Sequence, residues 1–253
     1  MKISVITSVY NNEACIEGCV KSVLDQTYKD IEYIVVEGGS TDGTPMVINK
    51  YRDSISILVS GRDRGMYDAL NKGIKLASGD VIGILNADDL YVNENVIQEV
   101  MNAFDEHGTD SVYGDLVYVS KEDSNKVIRY WKAGTYKREL LKKGWMVPHP
   151  TFFVKRSVYE KYGYFDTNFK ISADYEIILR FLYMHGIATH YIPKVLVKMC
   201  MGGVSNRGFR NIIIKSIEDY RAWKIYGINK RLFTIAGKNI MKIPQFFLKR
   251  FKE

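Results

Sequence analysis

The sequence predicts an α/β fold built on a mainly parallel sheet with helices on both faces. Three observations carry that expectation. Strand and helix patterns alternate through the first half of the chain, from Ile3 to Val119. Three successive strand ends carry acidic or amide residues, namely Asn11 and Glu13, then Glu37, then Asn86, Asp88 and Asp89. Ligands of open parallel sheets bind beyond the carboxyl ends of the strands, where these residues fall. Finally, 253 residues with 46% hydrophobic side chains suffice for one medium α/β core and a short appended segment.

The elements follow in order. Ile3–Val9 is rich in β-branched residues and reads as the first strand. Ile16, Cys19, Val20, Val23 and Leu24 recur at helical spacing. Residues 31–36 form a second strand, closed by Gly38-Gly39-Ser40. Thr44-Pro45 reads as a helix start, with Thr44 as cap and proline at the first helical position. Strands at 55–59 and 81–85 enclose a helix at 67–77, and a helix at 95–104 leads to a strand at 111–119. The second half is less regular, with a strand at 151–154 and a helix starting near Asp174. From Arg210 the pattern is helical and basic.

Charge and cysteine usage narrow the function classes. The net charge of +7 is concentrated at one end: residues 207–253 hold 12 Lys/Arg against 3 Asp/Glu, the remainder 24 against 26. A basic tail on a near-neutral body points to a local anionic surface and not to nucleic acid. Within the tail, Ile240, Ile243, Phe247 and Phe251 share one helical side and Lys238, Lys242, Lys249 and Lys252 the other. That is the form of a helix lying on anionic lipid, and equally of one packed on its own domain or another subunit. Cys15, Cys19 and Cys200 are odd in number and lack CxxC spacing, which argues against a disulfide framework or zinc site. No stretch reaches the roughly 20 apolar residues of a membrane span. Met1–Val5 runs directly into a strand pattern with no charged leader, so cytoplasmic residence is expected, with peripheral attachment to the inner membrane face where the tail binds lipid.

Four segments carry candidate chemistry. Adjacent carboxylates at Asp88 and Asp89 repel unless a cation or donors compensate, and hard oxygen ligands suit Mg²⁺ or Mn²⁺ shared with phosphates; a capped turn would use the same residues. In Glu37–Thr44 the paired glycines admit a ligand close to the backbone, and Glu37 has the chemistry to accept from a base or ribose. In Arg62–Gly73, arginines have the geometry to pair with a diphosphate; Asp68 and Asn71 lie three apart on a helix face, so both could address one ligand. Asp174 sits in the first turn of a helix, where the N-terminal dipole favours its ionised form, as a base requires; a plain cap would sit there too.

The order of these elements resembles the family 2 glycosyltransferases, which have the GT-A fold. The likeness runs from about Ile3 to about Ser205. It rests on ISVITSVYNN (3–12), EGGSTDGT (37–44), DRGMYDALNKG (63–73), GDVIGILNADD (79–89), HPTFF (149–153), GYFD (163–166) and DYEIILR (174–180). It implies a GT-A domain at 1–205 and a basic helical extension at 206–253. By resemblance, Thr7, Tyr10, Asn11 and Glu13 line the nucleotide pocket and Glu37 contacts the base. Gly38 and Asn86 join this donor-binding set. Asp63, Asp68 and Asn71 surround the nucleotide and diphosphate, and His149 lies near the donor phosphates or acceptor. Asp88 and Asp89 match the metal-binding motif, and Asp174 the catalytic base. The implied activity is inverting, Mn²⁺- or Mg²⁺-dependent transfer from a UDP-, GDP- or dTDP-sugar to a saccharide or lipid-linked acceptor, in bacterial surface polysaccharide synthesis. Two departures stand out: Glu37-Gly38-Gly39-Ser40 replaces the usual Asp-Asp-Gly-Ser, and Ala173-Asp174 the usual Glu-Asp. The processive-synthase motif Gln-x-x-Arg-Trp is missing, which favours single additions. Two competing readings are a sugar-nucleotide nucleotidyltransferase and a non-catalytic binding protein. The first needs a Gly-rich, Arg-containing loop where Tyr10-Asn11-Asn12-Glu13 stands. The second leaves Asp88, Asp89 and Asp174 without a purpose.

Overall fold

The structure, a computed structural model, describes residues 1–120, 122–201 and 209–228. Arg207, Lys238 and the rest of the basic amphipathic tail beyond residue 228 lie outside the described residues. The elements run β1 (Ile3–Val9), α1 (Glu13–Leu24), β2 (Ile31–Glu37), α2 (Thr44–Asn49), β3 (Ile57–Ser60), α3 (Met66–Leu76), β4 (Val81–Ile84) and β5 (Asp89–Tyr91). They continue with α4 (Val96–His107), β6 (Ser111–Val119), β7 (Val127–Trp131), α5 (Arg138–Lys142), β8 (Phe153–Lys155), α6 (Arg156–Tyr162), α7 (Ala173–Ile178), β9 (Thr189–Cys200) and α8 (Phe209–Ile225).

One sheet takes the order β3-β2-β1-β4-β8-β6-β9-β5, with β7 paired to β6. β3, β2, β1 and β4 are parallel, so their carboxyl ends share one edge. The chain moves outward from β1 to β2 and β3, then returns through α3 to place β4 on the other side of β1. That reversal opens a crevice at the carboxyl edge. The second half of the sheet is mixed: β8 is antiparallel to β4 and β6, β6 and β9 are parallel, and β5 closes antiparallel on β9.

Alternation along β1 and β2 separates two cores. Ile6, Ile34 and Val36 face Tyr67, Leu70 and Ile74 of α3. Val5, Tyr33 and Val35 face Ile16, Val20 and Val23 of α1, on the side that also holds Val96, Ile97 and Phe104 of α4. Helices therefore cover both faces. α8 joins the first core: Ala222 and Trp223 are fully buried, and the Trp223 indole N–H donates to the Tyr175 hydroxyl of α7 (2.7 Å).

Several boundaries differ from the sequence expectation. The helix cap before Pro45 is Gly43, and Asp42 Oδ1 accepts the Thr44 N–H at 3.0 Å, so Thr44 is already helical. Asp89 closes a turn, its N–H donating to Asn86 O (2.9 Å), and at once opens β5, opposite Met199 of β9. β9 carries Pro193, which reads against a strand. It is tolerated because the β6–β9 register shifts around Asp115, leaving extra residues on β9 between Tyr191 and Val195.

Glu32 holds the start of the parallel half together. It accepts from Ser4 Oγ (2.6 Å), Ser78 N (2.8 Å), Ser78 Oγ (2.6 Å) and Lys2 Nζ (3.1 Å). Burial opposes its ionisation, but these donors outweigh burial and hold the carboxyl down at about 2. A depressed folded-state pKa gives stability that is complete above the unfolded value near 4.3 and is lost as pH falls from there through about 2. Glu32→Gln is expected to cost about 3 kcal/mol at neutral pH and to flatten the acid limb of the melting-temperature profile in that window. An acid limb of unchanged slope would contradict this account.

Candidate active site

The carboxyl ends of β1 and β2 build one wall. The β1–α1 and β2–α2 loops are stitched together by side chains. Asn11 has the only positive φ among described non-glycine residues (48°). In that conformation its Oδ1 accepts the Thr41 N–H (2.8 Å), while its own N–H donates to Ser40 Oγ (2.9 Å). Glu13 Oε2 accepts the Gly43 N–H (3.1 Å), and the Glu13 N–H donates to Asp42 Oδ2 (3.2 Å). A Cβ on Gly43 would overlap the Glu13 carboxylate, so a larger residue there would displace the Glu13 side chain from this bond. Asn11 and Glu13 thus join the two loops of the wall, and both remain exposed on it.

Two further expectations shift. Thr7 has no exposed surface; it faces α1, and its Oγ1 lies 3.2 Å from the Tyr33 hydroxyl and 3.7 Å from Cys19 Sγ. A strand alternates its side chains, so half-buried Ser8 falls on the opposite, α3 side. Glu37 is 3% exposed and turned into the loop. Burial acts to raise its pKa, but donors from Ser60 Oγ (2.6 Å) and the Ser40 N–H hold it below the ordinary range. It orders the Gly-rich turn through these bonds and keeps little exposed surface.

Tyr10, Gly38 and Asp63 meet at this wall beside exposed Asn11 and Glu13. Tyr10 is 62% exposed. A Cβ on Gly38 would lie 3.3 Å from Asp63 Oδ2 and 3.5 Å from Tyr10 Cβ, so these three residues meet. Asp63 Oδ1 pairs with Lys72, while Oδ2 is buried with no hydrogen-bond partner among the described residues. Buried carboxylate oxygens are rarely left so, and this one suits a ligand N–H. Asp68 is differently placed. Hydrogen bonds from the Arg64 side chain (2.9 Å) and backbone (3.1 Å) keep its carboxyl low, and Lys72 stands 3.7 Å away. Asn71 clamps the 163–166 loop, donating to Phe165 O and accepting from Phe165 N, both at 2.9 Å. In this structure α3 uses Asp68 to fix its own start and Asn71 to fix a neighbouring loop.

Beyond β4, Asn86 Nδ2 donates to Asp89 Oδ2 (3.0 Å). Asp89 is fully buried and its Oδ1 has no hydrogen-bond partner among the described residues. Burial, then the charge of half-buried Asp88, pushes the Asp89 carboxyl well above its ordinary range. The charge of a divalent cation would favour the ionised form of this pair, and the orphaned oxygen would be a ligand for it. Among the described residues no group of three or more His, Cys, Asp or Glu converges. Two protein carboxylates leave the remaining positions to phosphate oxygens and water, the usual arrangement for Mg²⁺.

Opposite stands Asp174, in the first turn of α7. The cap of α7 is Ser172, so Asp174 is not spent on capping. His149 Nδ1 lies 3.1 Å from Asp174 Oδ2, and the Tyr67 hydroxyl donates to Ile171 O (2.7 Å) and more weakly to Asp174 Oδ1 (3.3 Å). Burial lowers the His149 pKa; Asp174 opposes that shift, Lys215 adds to it and Asp88 opposes it. His149 is then neutral at pH 7, with its Nδ1 proton assigned towards Asp174 by that contact. The structure thus brings His149 and Asp174 into contact, and the charge of Asp88 also reaches His149. Sequence reasoning missed Ser8, Tyr67 and Glu218. Of these only Ser8 had a sequence signal, the alternation of β1; the other two act through contacts of 104 and 46 to 48 residues' separation.

Comparisons with known proteins bear on this arrangement. Residues 4–163 match the profile described as "Glycosyl transferase family 2". A PGL/p-HBAD biosynthesis glycosyltransferase of Mycobacterium bovis is 29% identical over 208 residues, 80% of this chain and 78% of that protein. An uncharacterized glycosyltransferase of Mycobacterium tuberculosis is 32% identical over 182 residues, 70% and 68% of the two chains. Among solved structures, S. aureus TarS 1–349 in complex with UDP-GlcNAc superposes with a TM-score of 0.70 at 17% identity, over 99% of this chain and 74% of that one. This chain spans 44% of the longer TarS chain. The mannosyltransferase PcManGT of Pyrobaculum calidifontis, in complex with GDP-Man and Mn²⁺, gives a TM-score of 0.64 at 18% identity, over 97% and 73% of the two chains. The fold is the GT-A fold expected from the sequence.

Proposed function

This chain belongs to glycosyl transferase family 2, and from that premise we propose an inverting transfer of a sugar from a nucleoside-diphosphate donor to a hydroxyl acceptor. The observation that carries the reading is the Asp174–His149 pair at 3.1 Å beside the Asp88–Asp89 corner with its orphaned Oδ1. Tyr10 offers a stacking face for the base, and Asp63 Oδ2 an acceptor for a base N–H. Asp88 and Asp89 would hold a divalent ion, Mn²⁺ or Mg²⁺, which when bound supplies charge compensation for the departing nucleoside diphosphate. Asp174 takes the proton of the acceptor hydroxyl; the new bond forms from that oxygen to the anomeric carbon as the bond to the diphosphate breaks. A single base and one displacement invert the anomeric configuration. His149 holds Oδ2 of Asp174, and Oδ1, held only weakly by the Tyr67 hydroxyl at 3.3 Å, would take the acceptor proton.

The acceptor we propose is a saccharide or a lipid-linked saccharide of a bacterial surface glycan. The named mycobacterial relative acts in PGL/p-HBAD biosynthesis, and no helix among the described residues is long and apolar enough to cross a membrane. α8 exposes Ile213, Ile217 and Tyr220 next to Arg221 and Lys224, which fits an anionic lipid surface. One experiment tests both levels. UDP-GlcNAc and GDP-mannose are offered with Mn²⁺ to the full chain on phosphatidylglycerol vesicles carrying extracted bacterial glycolipid. Release of nucleoside diphosphate with a product of opposite anomeric configuration is expected. A product retaining the donor's configuration would sink the single-displacement mechanism. Chain that fails to float with the vesicles would remove the membrane surface and leave the soluble saccharide.

A further inference from the structure

α8 begins 46 residues beyond the last residue of the family match, yet it reaches the chain segment that carries Asp174. Glu218 is 7% exposed, and its carboxylate accepts three consecutive backbone N–H groups: Lys170 (2.7 Å), Ile171 (2.9 Å) and Ser172 (2.9 Å). A buried carboxylate is costly unless donors replace its water, and here the donors are the backbone leading into α7. On the other side of the same segment, Ile171 O accepts from Tyr67 of α3 at 2.7 Å. Residues 170–172 are thus held between α8 and α3, and Asp174 follows two residues later. The surrounding contacts tie α8 to α7 again: Tyr226 bonds Glu176, and Trp223 bonds Tyr175 at 2.7 Å.

We propose that Glu218 is a positioning residue for Asp174, so that α8 belongs to the catalytic apparatus and is not an appendage to it. The inference rests on the reading of Asp174 as the base. Its physical content is that a three-point backbone clamp fixes the first turn of α7, and with it the distance from Asp174 to His149. A base displaced by about an ångström costs on the order of a hundred-fold in rate. The donor site at Tyr10, Gly38 and Asp63 shares no residue with this clamp, so donor affinity stays out of its reach.

The test uses the full chain. His149 faces Asp174 from α7, Lys215 from α8 and Asp88 from the β4–β5 turn. It is one of four histidines, so its imidazole is readily followed by NMR. In Glu218→Gln, one acceptor oxygen is replaced by an amide that faces N–H donors. The His149 resonances are expected to move and to titrate at lower pH, as the supporting charge of Asp174 recedes. Turnover of UDP-GlcNAc or GDP-mannose, whichever the native chain uses, is expected to fall at least about ten-fold in kcat with donor KM unchanged. In an Asp174→Asn background the same substitution is expected to add no further loss. Tyr226→Phe removes a different α8 contact and serves as the control for loosened packing: it lowers Tm and leaves His149 in place. Should Glu218→Gln not fold, Glu218→Asp keeps the charge and is expected to give a smaller shift of the same sign. His149 signals that superpose on the native ones in folded Glu218→Gln or Glu218→Asp would overturn the proposal, as would an equal shift in Tyr226→Phe. Native turnover in Asp174→Asn would instead overturn the assignment of the base, whatever His149 does.

Discussion

Asp174→Asn is expected to lower turnover by about a thousand-fold while leaving donor binding intact. General-base catalysis by one positioned group contributes roughly 10²–10⁴ in rate. Asparagine preserves the shape of the side chain and an acceptor for the His149 contact at 3.1 Å, but it removes the charge and the proton acceptor. The loss is therefore expected on kcat, with the KM for the donor unchanged because the proposed donor wall at Tyr10, Gly38 and Asp63 is untouched. Steady-state kinetics with the turned-over nucleotide sugar decide it. A few-fold drop, or a drop carried by KM, would transfer the base to another group or make proton removal unimportant to the rate.

The second large effect concerns the acidic corner. With UDP-GlcNAc or GDP-mannose at about a hundred times its dissociation constant, the native chain gains about 2.7 kcal/mol by mass action. For a domain of this size that corresponds to a Tm increase of roughly 5–10 °C. Asp88→Ala is expected to abolish the part of the shift that requires Mn²⁺, and chelation with EDTA to do the same to the native chain. Asp88 is the cleaner site for the substitution because it is half-buried, whereas Asp89 is fully buried in β5 and bonded to Asn86. Asp89→Asn gives the complementary result. It relieves a carboxyl whose ionisation burial opposes, so the ligand-free protein gains stability as the metal-dependent shift disappears. A ligand shift that survives both EDTA and Asp88→Ala would show that the diphosphate is held by protein groups alone, with Arg62 and Arg64 the nearest basic candidates in sequence.

The comparison between sequence and structure turns on the range of the interactions. β1, β2, β4 and β6 are local hydrophobic runs, and each was legible. So were the polar ends of those strands, because residue type and strand end are both local facts. Side-chain direction was harder. Thr7 and Ser8 are neighbours of similar chemistry, and only the packing of α1 against one face shows which of them is buried. Glu37 looks like a ligand contact until Ser60 and Ser40 are seen to occupy it. Asp68 and Asn71 share a helix face, yet Arg64 and the Phe165 backbone claim them separately.

No strand is read from the sequence at 189–200; Pro193 lies within it, and the bulge that accommodates the proline exists only opposite β6. Tyr67 reads as an ordinary core aromatic on α3, and its hydroxyl acquires meaning from Ile171 and Asp174, more than a hundred residues on. The amino-acid sequence by itself determined the α/β alternation, the family, and the acidic residues at the strand ends, since those follow from periodicity and residue type along short stretches. Only the tertiary structure decided which of those polar groups are spent on loops and which remain open, and what holds Asp174 in place. A buried polar atom must find a partner, and for Asp63, Asp89 and Glu218 that partner, or its absence, is fixed by segments distant in the chain.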